Sequence, residues 1–293
     1  MKNYEHLEIP GVIAVNVGQG GLRKISLQTK PSSAEIYLHG AHITGFQKHG
    51  EPPLLFMSRL SHFAADKPIR GGVPICFPWF GPREGDVAHG FARVTEWDLI
   101  STKVEPDGRV VVKFRLPESP AKAQWPPFTT EFSVTVGETL TLELITRNTS
   151  TDQALEFEDC LHTYFAVGDI REVAVAGLKS VWYLDKADKG IRKQETADNI
   201  RVTQETNRTY LDTAGPVEIL DGKNRRLIRV EKSGSNSTVV WNPWTTQLMP
   251  DFAVEEHANM VCVESGNVGA NKRRLEPGAS AALKVTLSTQ PVR

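Results

Sequence analysis

Four short segments carry side chains able to move protons or hold an anion, each set among aromatics, prolines and glycines. The first runs Lys67-Pro68-Ile69-Arg70-Gly71-Gly72-Val73-Pro74 and on through Phe77-Pro78-Trp79-Phe80-Gly81-Pro82. Two glycines beside an arginine let backbone approach a ligand closely, while the guanidinium offers a planar fork to an anion or a vicinal oxygen pair. The same residues also describe an arginine that ties a Pro/Gly-rich loop to a carboxylate. The second segment is His89-Gly90-Phe91-Ala92-Arg93, in which His89 and Arg93 can both face a polar ligand across tight backbone. A strand-edge histidine beside a solvated arginine would look the same.

The third is Phe157-Glu158-Asp159-Cys160-Leu161-His162-Thr163-Tyr164-Phe165. As a strand, period two puts Cys160, His162 and Tyr164 on one face and Leu161, Thr163 and Phe165 on the other. An imidazole on a partly apolar face titrates near neutrality, as a proton donor to an ether-like oxygen must; a core histidine bonded to backbone fits equally well. The fourth is Asn259-Met260-Val261-Cys262-Val263-Glu264-Ser265-Gly266-Asn267. Val261 and Val263 pack inward while Cys262 and Glu264 take the opposite face, where partial burial would raise the carboxyl pKa and make it a better base. A glutamate paired with a lysine or capping a turn is the competing reading. Trp241 and Trp244, with Phe252, add aromatic surface suited to a sugar ring or to the core.

These groups need elements to hold them, and the dominant local signal is alternation. Val110, Val112, Phe114 and Leu116 lie on one face of a stretch that presents Arg109, Lys113 and Arg115 on the other, with Trp97 to Val104 as hairpin partner. A second hairpin joins Phe132, Val134 and Val136 to Leu140, Leu142 and Leu144 through Gly137-Glu138, and Leu283, Val285 and Leu287 mark a last strand. No amphipathic helical stretch survives the scattered Gly, Pro and β-branched residues. The spacing therefore predicts an all-β, antiparallel sandwich, with Pro117 to Pro127 and Asp185 to Arg208 as long surface excursions. At about 100–200 residues per domain, 293 residues allow two domains, but no repeat, linker or composition shift divides the chain, so a single domain over 1–293 is expected.

Composition excludes several classes of function. With 34 Lys+Arg against 35 Asp+Glu, the formal charge is −1, and no basic run exists to bind nucleic acid. Apolar residues at 40% and charged residues at 24% describe a globular chain rather than a disordered one. Met1 to Pro10 has no apolar leader and no later run approaches a membrane span, so a cytoplasmic protein with no membrane partner is expected. Cys76, Cys160 and Cys262 are odd in number and far apart, which fits buried thiols rather than disulfides. The histidines and carboxylates show no metal-ligand spacing, so no metal is expected.

Taken together and in this order, the segments resemble the glucose-6-phosphate 1-epimerase branch of the aldose 1-epimerase (galactose mutarotase) superfamily. The resemblance runs from about Ile36 to Leu287. It rests on Lys-Pro-Ile-Arg70-Gly-Gly-Val-Pro with Phe-Pro-Trp-Phe-Gly, His89-Gly-Phe-Ala-Arg93, Leu-His162-Thr-Tyr-Phe and Val-Glu264-Ser-Gly-Asn. It implies an antiparallel β-supersandwich and cofactor-free interconversion of the α and β anomers of a hexose 6-phosphate, D-glucose 6-phosphate among them. By the same carry-over, Glu264 takes the anomeric hydroxyl proton, His162 protonates the ring oxygen, Arg70 and Arg93 grip the phosphate, and His89 orients hydroxyls. A monomer is expected.

Two departures accompany the match. Many relatives carry Asp-Arg-x-Tyr where this chain has Asn207-Arg208-Thr209-Tyr210, so Asn207 stands as a substrate contact without the charge. Ala88 precedes His89 where some relatives have Gln. These departures motivate a second reading, a non-catalytic sugar-phosphate sensor on the same fold. A third, glycoside hydrolysis, requires Glu264 to share a groove with Asp251 or Glu255 at about 5–9.5 Å.

Overall fold

The computed structural model describes residues 4–292; Met1 to Asn3, part of the segment read above for a leader, and Arg293 lie outside the described residues. Among the described residues antiparallel strands make up nearly all the regular structure, and helix occurs only as short 3-10 turns. Alternation is the cause. In Phe128–Val136 every second side chain, from Phe128 to Val136, is buried and the residues between are half-buried. Its neighbours follow the same rule, with Phe114 opposite Phe132 and Phe132 opposite Leu144. These strands belong to a nine-stranded sheet that runs, edge to edge, Asn199–Ile200, Val173–Ala176, Val217–Asp221, Arg226–Ser233, Ser280–Pro291, Leu140–Asn148, Phe128–Val136, Val110–Arg115 and Asp98–Val104.

The second large sheet carries the chemistry. Its strands, in chain order, are β1 (Ile75–Cys76), β2 (Asp159–Leu161), β3 (Tyr164–Ala166), β4 (Trp182–Asp185), β5 (Ile191–Gln194), β6 (Thr206–Leu211), β7 (Ser237–Asn242) and β8 (Met260–Asn267). Across the sheet the order is β5-β4-β6-β7-β8-β2-β1, and β3 also pairs with β8. One contiguous apolar cluster joins inward residues of both sheets. Leu161, Phe165, Val240, Val261 and Val263 enter it from this sheet, and Val112, Phe132, Leu144 and Val285 from the other. A four-stranded sheet (Ile13–Val17, Arg23–Gln28, Ser32–Tyr37, His42–Lys48) and a ribbon of Leu155–Phe157 with Arg273–Leu275 complete the architecture. Among the described residues no helix is long and apolar enough to cross a membrane.

The two expected hairpins and the last strand are present, but Asp185 to Arg208 is not a featureless excursion. It holds β5, a 3-10 turn at Lys186–Asp188, the strand Asn199–Ile200 and the start of β6. β5 is an edge strand with Ile191, Arg192 and Gln194 exposed, so no face is buried and no alternation shows in the sequence. Lys193 bonds to both Asp185 and Asp188, and Arg208 and Tyr210 both donate to the buried Glu195 carboxylate, at 2.9 and 2.7 Å. The excursion is thereby tied to the sheet.

Candidate active site

Register alone assembles the centre of the site. The Phe157 to Phe165 segment is not one continuous strand: β2 and β3 are separated by a break at His162-Thr163, where the His162 N–H turns to the Pro74 carbonyl. Pairing with β8 nonetheless keeps one register on both sides of the break, Leu161 opposite Ser265 and Tyr164 opposite Cys262. His162 is therefore carried across from Glu264. Two cross-strand rows result on one face: Tyr164, Cys262, Trp241 and Asn207, and beside it His162, Glu264, Val239 and Thr209. β4 ends by pairing Asp185 with Arg208, so the next residue, Lys186, emerges beside Asn207.

All residues of these rows but Cys262 and Thr209 floor a cavity of about 320 Å³, inside the range of roughly 300 to 1,000 Å³ usual for small-molecule sites. Its walls come from the glycine-rich segments, which bring in Arg70, Phe80, His89 and Arg93. Close packing explains the glycines. An ideal Cβ on Gly90, at φ 78°, would sit 2.0 Å from the Phe77 carbonyl oxygen, and one on Gly72, at φ 59°, 2.1 Å from that of Ile43.

At the floor, His162 Nε2 lies 3.3 Å from Glu264 Oε1, and both side chains are almost wholly buried. The Tyr164 ring stacks on the imidazole, with centroids 4.8 Å apart. The Cys160 thiol donates to Glu264 Oε2 at 3.6 Å, and His162 Nδ1 has no partner. Burial pushes the Glu264 carboxyl up to about 8. It drives the imidazole well below its ordinary value, aided by the positive field of the Arg93 and Arg70 guanidinium groups. Both effects favour an uncharged pair near neutrality, with the shared proton resting on the carboxyl.

The cations around this pair differ. Arg70 donates through Nε to Asp251 Oδ2 at 3.1 Å and through Nη1 to the Tyr164 hydroxyl at 3.0 Å, so it ties its loop to a carboxylate while also lining the cavity. Arg93 is 8% exposed, its Nη2 donates to the Ala88 carbonyl at 2.6 Å, and its Nε finds no partner. Among the described residues no carboxylate lies within salt-bridge distance of it. Burial lowers its pKa, yet a guanidinium remains charged. This is a buried cation without a counter-ion, facing a cavity. His89 accepts the Gly81 N–H on Nδ1 at 3.3 Å, and burial lowers its pKa to about 3, which leaves a neutral ring with Nε2–H as donor.

All six residues singled out in the sequence, Arg70, His89, Arg93, His162, Asn207 and Glu264, line this one cavity. Lys186 also lines it, its ammonium 4.9 Å from the Phe80 ring centre; the charged, unpatterned excursion had hidden it. Among the described residues Glu264 is the one carboxylate in the lining. Asp251 is spent on Arg70 and the exposed Glu255 bonds to Arg59, so the carboxylate pair that glycoside hydrolysis demands is missing from the groove.

The family model described as Aldose 1-epimerase matches residues 23–288. A Cenchrus ciliaris protein named "Putative glucose-6-phosphate 1-epimerase" is 35% identical over 283 residues, covering 92% of this chain and 86% of its own. One of the same name from Escherichia coli (strain K12) is 36% identical over 241 residues, 79% of each chain. The crystal structure of a "putative mutarotase (YeaD)" from Salmonella typhimurium superposes with a TM-score of 0.89 at 29% identity, covering 97% of this chain and 95% of that one. With its strand order, its cavity and the match over nearly its whole length, the chain belongs to the aldose 1-epimerase family.

Proposed function

We propose that the protein interconverts the α and β anomers of hexose 6-phosphates, with Glu264 and His162 as the proton-transfer pair. The observation that carries this reading is the 3.3 Å contact between His162 Nε2 and Glu264 Oε1 on the floor of a cation-rimmed cavity. A pyranose seated there with its C1 end over the pair places O1 at the carboxylate and the ring oxygen at the imidazole.

Glu264 takes the O1 proton as His162 delivers one to the ring oxygen; the C1–O5 bond breaks and C1 becomes an aldehyde. Rotation about C1–C2 turns the other carbonyl face to the C5 hydroxyl. Closure then runs the transfers backward, so the pair ends with the proton it began with. A positioned acid and base each contribute about 10²–10⁴ in rate.

The resting pair holds its proton on the carboxyl, so turnover needs it moved to the imidazole across the existing contact. After burial, the charged guanidinium groups of Arg93 and Arg70 are what hold His162 down. A phosphate dianion on Arg93 offsets that field, and the substrate's own charge thereby favours the reactive arrangement, carboxylate beside imidazolium. Arg93 and Lys186 supply the anion site in this reading, Arg70 and His89 donate to hydroxyls, and Asn207 borders the same end as Lys186. The main apolar cluster draws residues from both large sheets, which supports reading the chain as a single folding unit.

NMR exchange spectroscopy on α-glucose 6-phosphate tests the reading. Anomer exchange should exceed the spontaneous rate and return to it in Glu264→Gln, with sugar phosphate still bound. Spontaneous exchange in the presence of folded wild-type protein would refute the proposal.

A further inference from the structure

Cys262 and Glu264 lie on β8 and His162 at the break between β2 and β3, so no local spacing announces the three as a ligand set. Cys262 and Glu264 are two apart on one face of β8, and the register with β2 and β3 brings His162 across from Glu264. Their donor atoms, an imidazole nitrogen, a thiol sulfur and a carboxylate oxygen, all lie within 4.8 Å of one another, and all three side chains are buried. From this geometry we infer that the three side chains form a binding site for a thiophilic divalent cation such as Zn²⁺ or Cd²⁺, whose occupancy blocks the cavity floor.

Distances support it. Zinc with ligands at about 2.0–2.3 Å in tetrahedral array places its donors roughly 3.3–3.6 Å apart. The His162–Glu264 pair already has that separation, 3.3 Å. The thiol must close by only on the order of 1 Å, within side-chain rotation of a cysteine. His162 and Glu264, though not Cys262, line the cavity, which gives the hydrated ion a route to two of its three ligands. Thiolate, imidazole and a single carboxylate favour Zn²⁺ and Cd²⁺ over Mg²⁺ and Ca²⁺, which need more oxygen ligands.

Binding is a ligand exchange. The Cys262 thiol and the Glu264 carboxyl each lose a proton to solvent, the ion loses bound waters, and no redox step occurs. Cys160 is the nearest rival, with its thiol on Glu264 Oε2. The assignment to Cys262 rests on its donor converging with those of both His162 and Glu264.

Cd²⁺ titration of the full-length protein, read by the ultraviolet cadmium–thiolate charge-transfer band, tests the site without reference to any enzyme activity. One saturable equivalent is expected, retained in Cys76→Ser and Cys160→Ser and lost in Cys262→Ser and in Cys262→Ala. No band in the wild type, or a band that survives both Cys262 substitutions, overturns the proposal. So does a band lost only with Cys160. A measurement on unaltered protein guards against misfolding of the variants: Mg²⁺ at a hundredfold excess should leave the band in place, and its displacement by Mg²⁺ would count against a thiolate site.

Blockage rests on the epimerase reading and is read separately. Zn²⁺ should inhibit anomer exchange in the wild type and require at least tenfold more metal in Cys262→Ser. A Cd²⁺ band with the expected cysteine dependence but no anomer exchange in any sample would keep the metal site and sink the enzymatic reading instead.

Discussion

Arg93 offers the sharpest test of how the cavity selects its substrate. It is a buried guanidinium with no carboxylate beside it; one bond, to the Ala88 carbonyl, is made and Nε is unpaired. Arg93→Met keeps length and apolar bulk but removes the charge. If the phosphate accepts two bonds from this group, each worth about 1.5–3 kcal/mol as a charge-assisted contact, the loss is about 3–6 kcal/mol, or roughly 10²- to 10⁴-fold in kcat/KM. The upper part of that range is favoured because the desolvation of Arg93 is met on folding and is not charged again on binding. The assay is anomer exchange with glucose 6-phosphate and with free glucose at matched concentrations. Only the phosphorylated sugar should lose rate, so the ratio between the two collapses. Thermal stability should hold or rise, since an uncompensated buried charge has gone. An equal loss on both sugars would refute the reasoning, as would a large fall in Tm with unchanged selectivity.

Four further outcomes follow from the same geometry. In the proposed mechanism the proton pair works in its one-proton form, so kcat should fall as pH rises through about 8, where Glu264 loses its proton, and an alkaline limb displaced by more than about two pH units would contradict this. Stability carries the same signature: the native state holds the Glu264 proton to about 8 against an ordinary 4.5, so stability is full below 4.5 and declines as pH climbs toward 8. Glu264→Gln should therefore gain on the wild type between about pH 6 and 9 in melting experiments. Lys186 is exposed, and Lys186→Gln should raise KM for glucose 6-phosphate roughly 3- to 10-fold with kcat little changed, a difference that shrinks in high salt. Gly90→Ala places its methyl against the Phe77 carbonyl at positive φ and should cost about 1–3 kcal/mol in urea unfolding; unchanged stability would mean the close approach is not real.

Much of the sheet that carries the site was legible from period two alone. Val261 and Val263 do enter the core while Cys262 and Glu264 take the other face, and Cys160, His162 and Tyr164 do share a face although the strand breaks at His162. Alternation survives because a break that keeps register keeps parity. The glycines beside Arg70 and His89 signalled close backbone approach for the same local reason.

What alternation could not supply was partnership across the chain. Whether Arg70 serves a ligand or a carboxylate depends on Asp251, far along the sequence, and the structure has it bonded to that carboxylate while it also lines the cavity. Lys186 sits in a segment with no buried face, so its place beside Asn207 follows only from how β4 pairs with β6. The protonation of Glu264 and His162 is likewise a tertiary property, since it is burial under neighbouring strands, and not residue type, that moves both groups toward neutrality. Local order along the chain determines which face each side chain takes, because parity is set by the residue next to it; long-range pairing and desolvation decide which charges meet and which are left bare.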